Sequence, residues 1–338
     1  MQKRRAHSCQ PGPRMERRSL FRLTGGALVA AGWSSSIVQA EGLRARRIGV
    51  LASSPLHSIQ SLKQRLADLG WIEGKNATFT ERWAQADDTA YPALASALAT
   101  LPVDIIVTWG TPALLAAKQA TANIPIVMAG IGDPVAVGAV SRLDRPGGNV
   151  TGFSTQNFEL ESKRLELLRE IVPSAKRIAA LGTRGNPYSA AAMASVRVAA
   201  AGSLELLPIE AAAGSGLDDA LTKIRASNPD AVLILSIPAF IPDRRKIAEF
   251  MVTNQLPAIY PYAEFIEAGG LICYTANFDD LFRRAADYVD KILRGASAGE
   301  LPVQQATAFL LIVNLRVARA LSLTIPGLIL AGADEVIE

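Results

Sequence analysis

Several stretches of the chain set groups capable of holding a small ligand directly after short apolar runs. In Thr108-Trp109-Gly110-Thr111-Pro112, Thr111 reads as a helix N-cap and Pro112 as the first helical residue. Gly110 lets backbone approach a bound group closely, and the helix start aims unpaired N–H groups at an anion. Capping alone accounts for the Thr-Pro pair equally well, and Trp109 suits either stacking on a planar ligand or packing in the wall of a site. Ser53-Ser54-Pro55 offers two hydroxyls ahead of a turn, suited to a ligand carboxylate or to a helix start. In Gly130-Ile131-Gly132-Asp133-Pro134, Gly132 brings backbone and Asp133 a carboxylate that could meet a ligand ammonium or cap the next helix. In the second half of the chain, Asn186-Pro187, Ser236 and Tyr260 occupy matching places, with Phe240 and Tyr262 as further aromatic groups. Thr155, Asn157 and Asn277 lie where the chain would cross between two halves. The candidate ligand-binding set is therefore Ser53, Ser54, Trp109, Gly110, Thr111, Gly132, Asp133, Thr155, Asn157, Asn186, Ser236, Tyr260 and Asn277.

Groups for covalent or metal chemistry are scarce. Beyond residue 40 there is one histidine, His57, and one cysteine, Cys273. Neither a His/Cys metal set nor a Cys-His pair is expected, and a Ser-His arrangement would depend wholly on His57. There is no three-glycine dinucleotide fingerprint, no P-loop and no Gly-x-Ser-x-Gly elbow. Asp87-Asp88 and Asp218-Asp219 read as helix-start acids that complement the helix dipole. The expectation is a binding protein, not an enzyme, with no catalytic residue, metal or cofactor.

The elements that must position the candidate groups alternate in kind. Short apolar strands are expected over 47–52, 77–82, 104–108, 125–129 and 149–151, and again over 177–181, 205–209, 231–235, 258–260 and 271–274. Helices are expected over 57–69, 89–100, 112–120, 160–171, 187–200, 217–226, 244–253 and 279–294. The last carries Leu281, Phe282, Ala285, Tyr288, Val289 and Ile292 on one face. Such alternation builds parallel sheets sandwiched by helices, an α/β fold, and ligands then collect where strand carboxyl ends meet. Two series of five strands imply two lobes: 44–152 with about 279–305, and 153–278, followed by a C-terminal return segment over 306–338. Crossings between lobes are expected near 151–155, 276–279 and 304–307.

Composition sets the outer bounds. At 338 residues with 49% apolar and 20% charged residues, the chain has ample material for packed cores and is too long for an ordinary single domain. Its net charge of +4 belongs to one end. Residues 1–40 hold seven of the 35 basic residues and one of the 31 acidic ones, leaving 28 against 30, or −2, beyond. That body has no positive excess to suggest nucleic-acid binding. Arg17-Arg18-Ser19-Leu20-Phe21, an apolar Gly/Ala-rich run and Val38-Gln39-Ala40 read as a signal peptide cleaved after Ala40. The paired arginines resemble a twin-arginine signal, an ordinary secretory signal being the alternative. Met15 could be the true start, in which case residues 1–14 are an artefact of the start site. No other window reaches the roughly 18–20 apolar residues of a membrane span, and the single remaining cysteine excludes an intrachain disulfide after cleavage.

Ordered blocks along the chain carry a resemblance. Gly70-Trp71-Ile72-Glu73-Gly74-Lys75-Asn76, Gly110-Thr111-Pro112-Ala113, Gly132-Asp133-Pro134-Val135, Arg145-Pro146-Gly147-Gly148-Asn149-Val150-Thr151-Gly152, Lys163-Arg164-Leu165-Glu166-Leu167-Leu168, Glu267-Ala268-Gly269-Gly270-Leu271 and Ala333-Asp334-Glu335-Val336-Ile337-Glu338 are similar to successive segments of one family. It is the ABC transporter substrate-binding proteins, periplasmic components of uncharacterised ABC-type transport systems, which include tryptophan- and tyrosine-binding-like members. The resemblance covers about residues 46–338. It implies a two-lobed, type I periplasmic-binding-protein fold that closes on a small polar or amino-acid-like solute. It also implies delivery to an inner-membrane ABC permease. The protein is expected to be a monomer, free in the periplasm because Cys9 precedes the apolar run of the leader, whereas a lipid-modified cysteine would follow it. The chain departs from the usual pattern at Trp109, where a small residue is commoner, at Thr183-Arg184-Gly185, where an aromatic often stands, and at Thr275, where glycine is usual. An extracytoplasmic ligand sensor of the same fold is the alternative, and an exported α/β enzyme a more distant one.

Overall fold

The computed structural model describes residues 44–338 apart from Leu56 and residues 213–215; the leader over residues 1–40 lies outside the described residues. The chain opens with β1 (Arg46–Ala52), α1 (Ser58–Asp68), β2 (Ala77–Trp83), α2 (Tyr91–Thr100), β3 (Ile105–Thr108), α3 (Thr111–Ala120), β4 (Ile126–Ile131) and β5 (Val150–Ser154). All pair in parallel, in the order β5-β4-β3-β1-β2. Side chains alternate across this sheet with the two-residue period of a strand. Ile105, Val107, Val127 and Ala129 enter one core, while Ile106, Ile126 and Met128 enter another beneath α2 and α3. A parallel sheet covered on both faces has continuous apolar strands, which explains why β3 and β4 are buried throughout.

The chain then passes to a second sheet through α4 (Asn157–Ile171), β6 (Arg177–Thr183), α5 (Pro187–Ala200), β7 (Glu205–Ala211), α6 (Leu217–Ala226), β8 (Ala231–Ile234), α7 (Arg244–Thr253), β9 (Ala258–Tyr260), α8 (Glu264–Glu267) and β10 (Ile272–Ala276). It returns through α9 (Phe278–Leu293), whose buried stripe of Leu281, Phe282, Ala285, Tyr288, Val289 and Ile292 packs against α1 and β4. After α9, β11 (Gln304–Gln305) adds to the first sheet beside β5. β12 (Phe309–Asn314) joins the second sheet antiparallel to β10; after α10 (Leu315–Ala320) and α11 (Gly327–Ala331), β13 (Glu335–Ile337) pairs with β12 in parallel. The second sheet thus runs β13-β12-β10-β9-β8-β6-β7. The fold is α/β, with two parallel-sheet lobes sandwiched by helices.

Three passages between the sheets run side by side. Ala306 N donates to Ser154 O at 2.8 Å and Asn277 N donates to Ala308 O at 2.9 Å, so each passage is hydrogen-bonded to another. Differences from the sequence reading fall at short elements. β5 runs to Ser154, while α8, α11, β11 and β13 have two to five residues each, too few to show a period. Among the described residues no helix is long and apolar enough to cross a membrane.

Candidate ligand-binding cleft

The carboxyl ends of β1, β3 and β4 face those of β6, β8 and β9 across a cleft, and side chains from both lobes meet there. Ser53 Oγ donates to Pro238 O at 3.1 Å, and Asn186 Nδ2 donates to Asp88 Oδ2 at 2.8 Å. Burial raises the Asp88 carboxyl above its ordinary range, the Asn186 hydrogen bond opposes that shift and the neighbouring Asp87 charge adds to it. Gly110 has φ +92°, and a Cβ there would stand 3.2 Å from Pro238 Cγ. Glycine therefore permits both the turn into α3 and the close approach of the opposite lobe.

Between the lobes lies a small cavity lined by Trp109, Gly110, Thr111, Pro112, Gly130, Gly132, Asn186, Tyr188, Ser236, Pro238, Tyr262 and Phe278. Its polar end is the start of α3. Gly110 is the N-cap, Thr111 the first helical residue, and no side chain caps the helix. This corrects the expectation that Thr111 is the cap: the helix begins one residue earlier than that reading requires, so the cap position falls on Gly110, which has φ +92° and no side chain to fold back. The first N–H groups of α3 and the dipole they carry are left to whatever enters the cavity.

From the second lobe come Asn186, Tyr188 and Ser236, each fixed from behind. Asn186 caps α5, its Oδ1 accepting from Tyr188 N at 3.0 Å and Ser189 N at 3.3 Å. Glu161 Oε1 accepts from Tyr188 OH at 2.7 Å and from Ser236 N at 2.8 Å. Arg164 donates through Nη1 to Ser236 Oγ at 2.8 Å and through Nε to Tyr274 O at 2.6 Å. Glu161 Oε2 lies 2.9 Å from Arg164 Nη1, an ion pair without hydrogen-bond alignment, with both side chains essentially inaccessible to water. Glu161 and Arg164 were not foreseen: charges three apart on a helix ordinarily lie on a solvated face, and only the packing of α4 under β8 and β9 buries them.

The remaining wall is aromatic. Trp109 is 3% exposed and meets Tyr262 edge-on at 5.5 Å between ring centroids and Phe278 at 5.7 Å; Tyr262 and Phe278 are themselves 5.7 Å apart. Phe278 escaped the sequence reading because it stands just before the helix expected over 279–294, within the second crossing, where no pattern marks the direction of its side chain. Tyr188 escaped because nothing marks the third residue of Asn186-Pro187-Tyr188 as turned inward.

Other residues singled out from sequence stand elsewhere. Asp133 Oδ1 accepts from Val135 N and Ala136 N at 3.0 Å each, the capping alternative. Thr155 Oγ1 donates to Ile131 O at 3.1 Å, within the first passage between lobes. Asn277 caps α9 by accepting from Asp280 N at 3.0 Å. Tyr260 is buried and stacks on Phe265 with centroids 5.0 Å apart, away from the cavity lining. Ser54 Oγ is buried with no hydrogen-bond partner among the described residues, as are the Thr108 and Thr183 hydroxyls at the ends of β3 and β6. The side chain of Asn157 lies outside the described residues. His57 is exposed beside α1, whereas Cys273 is buried in β10, where desolvation pushes its thiol up. Among the described residues no group of three or more His, Cys, Asp or Glu side chains is placed to hold a metal ion.

Known proteins share this architecture. The sequence model of the family described as "ABC transporter substrate binding protein" matches residues 50–337. A protein named "Tyrosine-binding protein" from Clostridioides difficile is 26% identical over 259 residues, 76% of this chain and 74% of that one. A crystal structure of a conserved domain protein from Vibrio cholerae matches with a TM-score of 0.79 and 26% identity over 87% of this chain and all of the other. The structure of an ABC domain in complex with L-Trp from Streptococcus pneumonia matches in fold, with a TM-score of 0.75 and 24% identity over 86% of this chain and all of the other.

Proposed function

We propose, on the premise that the chain belongs to the ABC transporter substrate binding protein family, that it is exported by its residue 1–40 leader and captures a carboxylate-bearing, amino-acid-like solute in the periplasm. The twin-arginine route is the export path that best suits Arg17-Arg18. As a substrate-binding protein of an ABC transporter it works with a permease, here one in the inner membrane. Hinged movement of the lobes about the three neighbouring passages opens and closes the site.

The observation that carries the ligand class is the uncapped start of α3, opening on the inter-lobe cavity opposite Asn186, Tyr188 and Ser236. A helix N-terminus holds a carboxylate through its free N–H groups and dipole, and the facing hydroxyl and amide groups suit the polar remainder of an amino acid. Relatives named for tyrosine and crystallised with L-Trp support an amino-acid ligand without deciding which.

A thermal-shift screen of the purified protein against amino acids, short carboxylates and nucleobases tests this, because a ligand of the folded state raises the melting temperature. Carboxylate-bearing compounds are expected to stabilise it. In calorimetry with the best of them, Thr111→Ala is expected to weaken binding about fivefold, the equivalent of one hydrogen bond of about 1 kcal/mol. Stabilisation by uncharged solutes alone would count against the carboxylate grip, and an affinity unmoved by Thr111→Ala would remove the Thr111 hydroxyl from it.

A further inference from the structure

We infer that Trp109 sets the size class of the ligand: its indole fills the space that a large ligand side chain would take, so the chain selects an amino acid or related carboxylate with a small substituent. The inference rests on the reading of the inter-lobe cleft as the carboxylate site.

Trp109 immediately precedes Gly110, the N-cap of α3, and neighbouring Cα atoms are only about 3.8 Å apart. A ligand carboxylate held at the α3 N-terminus has its own α-carbon about 1.5 Å from the carboxyl carbon. The substituent on that carbon therefore starts within reach of the indole. The indole does not swing freely there. It is 3% exposed and wedged edge-on against both Tyr262 and Phe278, at 5.5 and 5.7 Å. Phe278 is pinned in turn, since a Cβ on Gly130 would come within 2.9 Å of its Cε1. The Trp109, Tyr262 and Phe278 rings all stand in the lining of that cavity together with the polar wall, and occupy room that a large ligand side chain would need. An aromatic side chain buries about 150–250 Å², so a second one cannot be seated beside Trp109 without displacing the cluster. Of two similar proteins, one is named for binding tyrosine and the other is crystallised with L-Trp. Here the protein's own tryptophan supplies the aromatic group.

The test compares the purified protein with Trp109→Ala and Trp109→Phe by thermal shift and calorimetry. The probes are glycine, L-alanine, L-serine, glycolate, L-phenylalanine, L-tyrosine and L-tryptophan. The unaltered protein is expected to bind one or more of the first four and none of the aromatic amino acids. Trp109→Ala opens an apolar space lined by Tyr262 and Phe278, and is expected to bind L-phenylalanine or L-tryptophan on the order of 100-fold more tightly than the unaltered protein does. Trp109→Phe is expected to keep the preference for small ligands. Binding of any aromatic amino acid by the unaltered protein within about tenfold of the Trp109→Ala affinity overturns the inference while leaving the carboxylate reading intact. Failure of every carboxylate to stabilise any of the three proteins overturns both. If Trp109→Ala fails to fold, the unaltered protein and Trp109→Phe still decide, because aromatic binding by either one refutes the inference.

Discussion

Arg164→Met is expected to destabilise the protein by about 3–5 kcal/mol, the cost of removing one partner of a buried ion pair. Chemical denaturation would read this as a lowered midpoint with an unchanged slope. The Arg164 side chain is 1% exposed and that of Glu161 0%. Methionine restores the apolar volume of the arginine stem and none of its donors. Its introduction strands the Glu161 carboxylate, the Ser236 hydroxyl and the Tyr274 carbonyl, all partners of Arg164. The double variant Glu161→Leu/Arg164→Met is expected to recover much of the loss, since no charge remains to be buried, although Tyr188 OH and Ser236 N then lose their acceptor. Ligand affinity should fall in both variants, because Tyr188 and Ser236 line the cavity and the pair holds them in place. A loss below about 1 kcal/mol in the single variant, the range of an exposed pair, would show that this network does not support the site.

Gly152→Ala is expected to cost more than about 4 kcal/mol, enough to abolish soluble protein or shift the denaturation midpoint severely. Gly152 sits in β5 opposite Met128 of β4, next to a register shift between Ala129 and Ile131. Its φ of +131° turns the Cβ position into the ladder itself: a Cβ would lie 2.1 Å from Met128 O and 2.7 Å from Met128 N. Both atoms are backbone, so relief requires separating two paired strands of the first sheet, β4 and β5, just before the chain leaves for the second lobe. Gly148→Ala is the control. Its φ is +60° and a Cβ there meets nothing within 4 Å, so only the left-handed conformation is penalised, at about 1–2 kcal/mol. Equal losses in the two variants would refute the close-approach argument at Gly152.

What the sequence determined by itself is the part of the protein governed by short-range pattern. Buried parallel strands need continuous apolar runs and their covering helices need one apolar face, so the alternation of elements, the two series of strands and the stripe on α9 were legible. The strand-end rule also led to Trp109, Gly110, Thr111, Gly132, Asn186 and Ser236, all of which line the inter-lobe cavity. That rule names the loops and not the direction of each side chain. Asp133 and Asn277 therefore satisfy local backbone N–H groups, and Tyr260 sinks into the core. Tertiary structure alone decided the rest. The passage of α4 beneath the second sheet turned Glu161 and Arg164 from a surface pattern into a buried support for Tyr188 and Ser236. The meeting of Trp109 from the first lobe, Tyr262 from the second and Phe278 from the returning helix joined three rings separated by 153 and 16 residues in sequence. Long-range packing of this kind depends on which faces come together, and no period of 2 or 3.6 residues encodes it.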